Sequence, residues 1–239
     1  MTISVRSFDR YSNNGATDFI DTDADTPTGM TVGDLAIAFV FRNYGTSGSD
    51  GIHDDNGSTP FTRDREDVDP TSGTYMSIWT RRIQVGDPNV WRWVYNPRGS
   101  DSWMSILLVA LQNPDPTTIY DVAPGSGTNT ITASDSGSAS GVSITTTVAG
   151  SIHFLTSVRE NSGYTGIPAG YTELNPSGST FYTRSCYKVI ADPGSTGAQT
   201  FTGASSVSSV IQSFAIKNSS ITVDPNAYTV TRKVVYATQ

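Results

Sequence analysis

Two histidines, one cysteine and a scatter of acids are the side chains in this sequence that could carry chemistry. Nucleophilic catalysis needs an activated nucleophile with a base in reach. His153 stands in a strand-like run, where an earlier copy of the run has Ala36 or Ile37, and His53 stands in a Gly/Asp-rich segment. Neither adjoins a Gly-x-Ser-x-Gly elbow, so the pattern argues against a histidine-based hydrolase. Cys186 lies in the apolar-patterned run 181–190, the setting of a buried, inert thiol, and as the sole cysteine it excludes an internal disulfide. A glycosidase needs two carboxylates, one with a raised pKa from a partly buried setting. Glu66-Asp67, Asp54-Asp55 and Glu160 all fall in polar segments, where a solvated face is the expectation.

Metal chemistry has one better candidate. Asp21, Asp23 and Asp25 alternate like the opening of a calcium loop, in which that spacing lets carboxylates converge on one ion. The match then fails, because the sixth position is Thr26, where glycine is needed, and the twelfth is Val32, where a bidentate Glu is needed. Asp50, Asp54, Asp55 and Asn56 form a second, looser cluster. Solvated acidic turns are the expectation at both places, and no catalytic, cofactor-binding or metal-binding residue is assigned. Trp91 and Trp93 project to one face of their run, with Trp79 and Trp103 on neighbouring ones. Exposed, such rings make flat platforms for sugars; buried, they fill a core, and core is expected for at least two of the four.

The elements that would position these groups read as strands. Charged residues make up only 15% of the 239 and glycine and proline are plentiful, which disfavours a helical protein. Residues 35–41 (LAIAFVF) and 103–111 (WMSILLVAL) are apolar runs bounded by turn formers and are expected as buried strands, although periodicity alone also allows a helix for the second. Residues 75–85 and 91–95 alternate with period two around a Gly86-Asp87-Pro88-Asn89 turn.

This order recurs. Gly33-Asp34-Leu35-Ala36 has a counterpart in Gly150-Ser151-Ile152-His153, Pro60-Phe61-Thr62 in Gly170-Tyr171-Thr172, run 75–83 in run 182–190, and run 105–113 in run 210–218. The expected fold is all-β: a jelly-roll-like antiparallel β-sandwich in which two similar halves, about 30–113 and 145–218, close one domain over 1–218. The Ser/Thr/Gly-rich stretch 129–143 joins them, and 45–58 is an insertion in the first half. Residues 219–239 fall outside the repeat as an extra strand or arm, which either returns to its own sheet or pairs with a neighbouring subunit.

A net charge of −7, without a Lys/Arg cluster, argues against nucleic acid and anionic membranes as partners. No run has the length of a membrane span, and the N-terminus has no apolar signal core, so release from a cell is expected by other means, such as lysis.

Residues 26–41 (TPTGMTVGDLAIAFVF), the aromatic-rich run 75–83 and run 103–113 resemble β-sandwich modules of tailed-phage virion structural proteins. Those modules open a strand with Gly-Asp-Leu after a turn and close each half with an apolar strand. The resemblance spans about residues 20–218. It implies a non-catalytic virion component, of head decoration, head fibre or tail-appendage type, that forms a homo-oligomer and contacts capsid or tail proteins. The alternative is a receptor- or carbohydrate-binding adhesin module with a host-surface glycan as partner. A third reading, a polysaccharide-degrading enzyme, would rest on one of the acidic pairs.

Overall fold

A computed structural model describes residues 2–13, 19–21, 29–43, 52–54, 61–69, 73–88, 90–95, 103–125, 129–131, 138–159, 163–174, 183–203 and 209–219. Every regular element among them is a β-strand. The first half contains β1 (Ser4–Asn13), β2 (Phe19–Asp21), β3 (Leu35–Asn43), β4 (Ile52–Asp54), β5 (Thr62–Asp69), β6 (Thr74–Arg82), β7 (Arg92–Tyr95) and β8 (Trp103–Gln112). The second contains β9 (Tyr120–Val122), β10 (Asn129–Ile131), β11 (Ala139–Gly141), β12 (Thr145–Thr146), β13 (Ser151–Arg159) and β14 (Tyr164–Gly166). It continues with β15 (Thr172–Glu173), β16 (Thr183–Ile190), β17 (Gly194–Ser195), β18 (Gln199–Gly203) and β19 (Ser209–Ile216).

The connectivity is that of a jelly roll, twice over. In the first half β1-β8-β3-β6 form one sheet and β2-β7-β4 the other, the order produced when a long hairpin rolls over on itself. β5 departs from that scheme by pairing with β6. The second half repeats both the scheme and the departure: β10-β19-β13-β16 form the first sheet, β11-β18-β14 the second, and β15 joins β16. β9 and β10 pair with opposite ends of β19, so together they follow the path that β1 takes along β8. β12 and β17 add a two-stranded ladder.

The register confirms the repeat residue by residue. Leu35 pairs with Arg82 and Leu111, and its counterpart Ile152 pairs with Val189 and Ile216. Thr62 faces Thr80 as Thr172 faces Tyr187. Residues 103–112 form a strand, which resolves their ambiguous periodicity.

The long apolar runs are explained by how the sheets stack. Leu35, Ile37, Phe39 and Phe41 face a central layer shared with Ile152, Phe154, Val158, Phe214 and Ile216 of the other half. The alternate residues Ala36, Ala38 and Val40 face a second layer with Phe61, Trp79, Trp91 and Trp93. A third layer joins Leu155, Cys186 and Ile211 to Ala139 and Phe201. The two long sheets are thus covered on both faces, which removes the polar/apolar alternation of a half-exposed strand. The expected sandwich of two halves is the middle of the molecule, and each half carries an outer sheet of its own.

Polar ties close the rims between the halves. Tyr120 donates its hydroxyl to Asp64 at 2.8 Å, Arg10 Nη2 donates to Thr183 Oγ1 at 2.5 Å, and Gln212 Nε2 donates to Asp67. The backbone N–H of Ile3 donates to Asn218 Oδ1 at 3.0 Å. Residues 220–239, on which the expected strand or arm falls, lie outside the described residues.

Candidate functional site

The interior of the second half holds a cluster of groups that could do chemistry, and strand alternation puts it there. On β13, Ser151, His153, Leu155 and Ser157 share a face; Cys186 and Lys188 on β16 and Ile211 and Ser213 on β19 share it too, by register. Tyr171, just before β15, closes over them. His153 is fully buried and both ring nitrogens are engaged. Nδ1 lies 2.5 Å from the Tyr171 hydroxyl and Nε2 lies 2.8 Å from Ser213 Oγ. The two rings meet edge to face at 5.5 Å.

Burial pushes the imidazole down to about 4, and the charge of Lys188 adds to the shift. His153 is therefore neutral at pH 7, with one nitrogen donating and the other accepting. Burial likewise raises the Cys186 thiol and the Tyr171 phenol. Cys186 is the buried thiol that its run led one to expect.

The first half shows the same stations without the polarity. Register sets His153 against Ala36, Tyr171 against Phe61, Cys186 against Trp79 and Ser213 against Leu108. The Ser213–His153 contact has the pairing of a nucleophile with its base, but Tyr171 sits on Nδ1, where hydrolases place an orienting carboxylate. Ser213 is only 1% exposed, so a carbonyl from solvent reaches its oxygen only if the outer layer opens.

The remaining candidates are placed as follows. Trp79, Trp91 and Trp93 are core residues, with Phe61 packed edge-on against Trp91 at 4.9 Å and tilted against Trp93 at 5.0 Å. The side chain of Trp103 lies outside the described residues. Glu66 and Asp67 sit on β5 in ion pairs with Arg63 at 3.1 Å and Arg65 at 2.6 Å. Asp21 ends β2 and Asp54 ends β4, and the backbone pairs them with Arg92 and Trp93 of β7 from opposite sides. The sheet therefore brings the starts of both acidic segments to one end. His53 lies on β4, next to Asp54. Asp23, Asp25, Thr26, Asp50, Asp55, Asn56 and Glu160 lie outside the described residues, and Val32 is an exposed turn residue. Among the described residues no three His, Cys, Asp or Glu side chains group as metal ligands.

Two features escaped the sequence reading. Tyr171 and Ser213 become visible only when the repeat is scanned for polar residues at apolar stations. Arg42 and Arg159, the counterparts near the ends of β3 and β13, are both buried, with guanidinium carbons 3.6 Å from the Tyr75 ring and 4.8 Å from the Tyr164 ring. Comparison with protein-family models, curated proteins and solved structures gave no match to this chain.

Proposed function

We propose that this chain is a non-catalytic structural protein on the surface of a bacteriophage particle, a head decoration, head fibre or tail component that assembles through sheet edges. The observation that carries the reading is the doubled jelly roll: two copies of one connectivity fused across a shared apolar layer. Jelly rolls serve as viral capsid and lectin domains, a link that holds at the level of fold. Among the described residues β1 ends the long sheet of the first half opposite the charged β5 and places a backbone edge at its rim, the feature by which β-proteins associate. The resemblance of residues 20–218 to tailed-phage modules points the same way.

The adhesin reading loses its expected platform, because Trp91 and Trp93 are interior. Antibodies against the purified chain, applied to intact particles of the source phage and viewed by electron microscopy, test the proposal. Regularly spaced label on head or tail is the expected result. Particles that carry no label and lack the chain by mass spectrometry would overturn it.

A further inference from the structure

The second half carries a hydrogen-bonded polar network at stations that the first half fills with Ala36, Phe61 and Leu108, so the fold itself does not require one. The network sits in the thinnest of the three apolar layers. Among the described residues it holds five buried apolar side chains, against eleven in its counterpart and seventeen at the centre. Local opening starts where apolar contacts are fewest. We propose that His153 is an acid-sensitive latch, whose protonation loosens the outer sheet β11-β18-β14 of the second half while the central sandwich holds.

The surroundings of the imidazole favour this outcome. From β16, Lys188 pairs opposite His153 and its charge opposes a second cation there, while the Cys186 thiol is neutral. From β15 and the turn before it come Tyr171, a neutral phenol, and Glu173, which is held by Arg184 at 2.9 Å. β19 contributes the Ser213 hydroxyl. From β9, Asp121 accepts hydrogen bonds from Ser151, Thr147 and Val148. The outer sheet contributes Tyr164, which is bonded to Ser157. Among the described residues no carboxylate reaches the ring, so an imidazolium formed in the closed state has no counter-ion. An open state restores the ordinary histidine pKa, and acid therefore favours opening.

The chain carries its own two reporters. Cys186, the only cysteine, lies in the second half's outer layer, and all four tryptophans belong to the first half. The experiment measures labelling of Cys186 by a pyridyl disulfide, normalised to a small free thiol, at about pH 7 and about pH 4.5, with tryptophan emission recorded alongside. An imidazole that titrates near 4 when closed and at its ordinary value when open raises the open population roughly fiftyfold over that interval. The expected result is an acceleration of that order in the wild type with steady tryptophan emission, and none in His153→Gln. The triple variant His153→Ala, Tyr171→Phe, Ser213→Leu, which installs the first half's residues, should behave like His153→Gln. No acceleration in the wild type, equal acceleration in His153→Gln, or tryptophan emission changing in step would each overturn the latch.

Discussion

Gly33 and Gly150 hold the same station in the two halves, both with positive φ (93° and 76°), yet they predict different mutational costs. A methyl group at Gly33 meets none of the described residues within 4 Å, so Gly33→Ala carries the left-handed backbone strain, about 1 kcal/mol. At Gly150 the methyl carbon would lie 2.7 Å from Asn218 Nδ2. Asn218 cannot yield freely, because its side chain holds the Ile3 N–H at 3.0 Å and the Ala149 carbonyl at 3.2 Å. Gly150→Ala is expected to cost about 2–3 kcal/mol. Urea titrations of both variants check this, and equal losses would refute the role given to Asn218. What the sequence disclosed at this scale was position. His153 could be set against its apolar counterpart, but its partners come from segments 18 and 60 residues away, and only the folded register brings them together.

Among the described residues strand β5 closes one edge of the long sheet with Arg63, Arg65, Glu66 and Asp67, the kind of charged edge that discourages sheets from joining. Its ion pairs are partly solvated and contribute little to stability, under about 1 kcal/mol each. Replacing Arg63 and Glu66 together by threonine should therefore leave the urea midpoint nearly unchanged while causing concentration-dependent association in sedimentation velocity. A variant that associates no more than the unmutated chain would show that the charges do not guard this edge. Strands also differed in how readily they could be read. β3 and β8 announce themselves because burial on both faces makes them continuously apolar. β2, β4, β11 and β14 have three residues each, too few for a period to show, and the outer sheets that they help to build went unseen. The repeat itself was legible because turn glycines and apolar spacing survive in both copies.

The two halves are joined by more than contact at a seam. Phe39 packs against Phe154 and Phe214 at 5.8 and 5.9 Å, so the centre of the molecule belongs to neither half. An isolated fragment 1–116 would expose Leu35, Ile37, Phe39, Phe41, Met76, Leu107, Val109 and Leu111 together. It is expected to aggregate or to lack a cooperative unfolding transition, and mixing it with 117–239 should recover one; a fragment 1–116 that is monomeric and melts cooperatively would show that the shared layer is dispensable. Two long sheets clad on either side also leave little room for novelty within them, since any new side chain there must fit neighbours above and below. Changes that alter what the molecule grips are thereby channelled to the outer sheets, the loops and the rims, so variants selected for a new attachment should map there and leave the middle untouched.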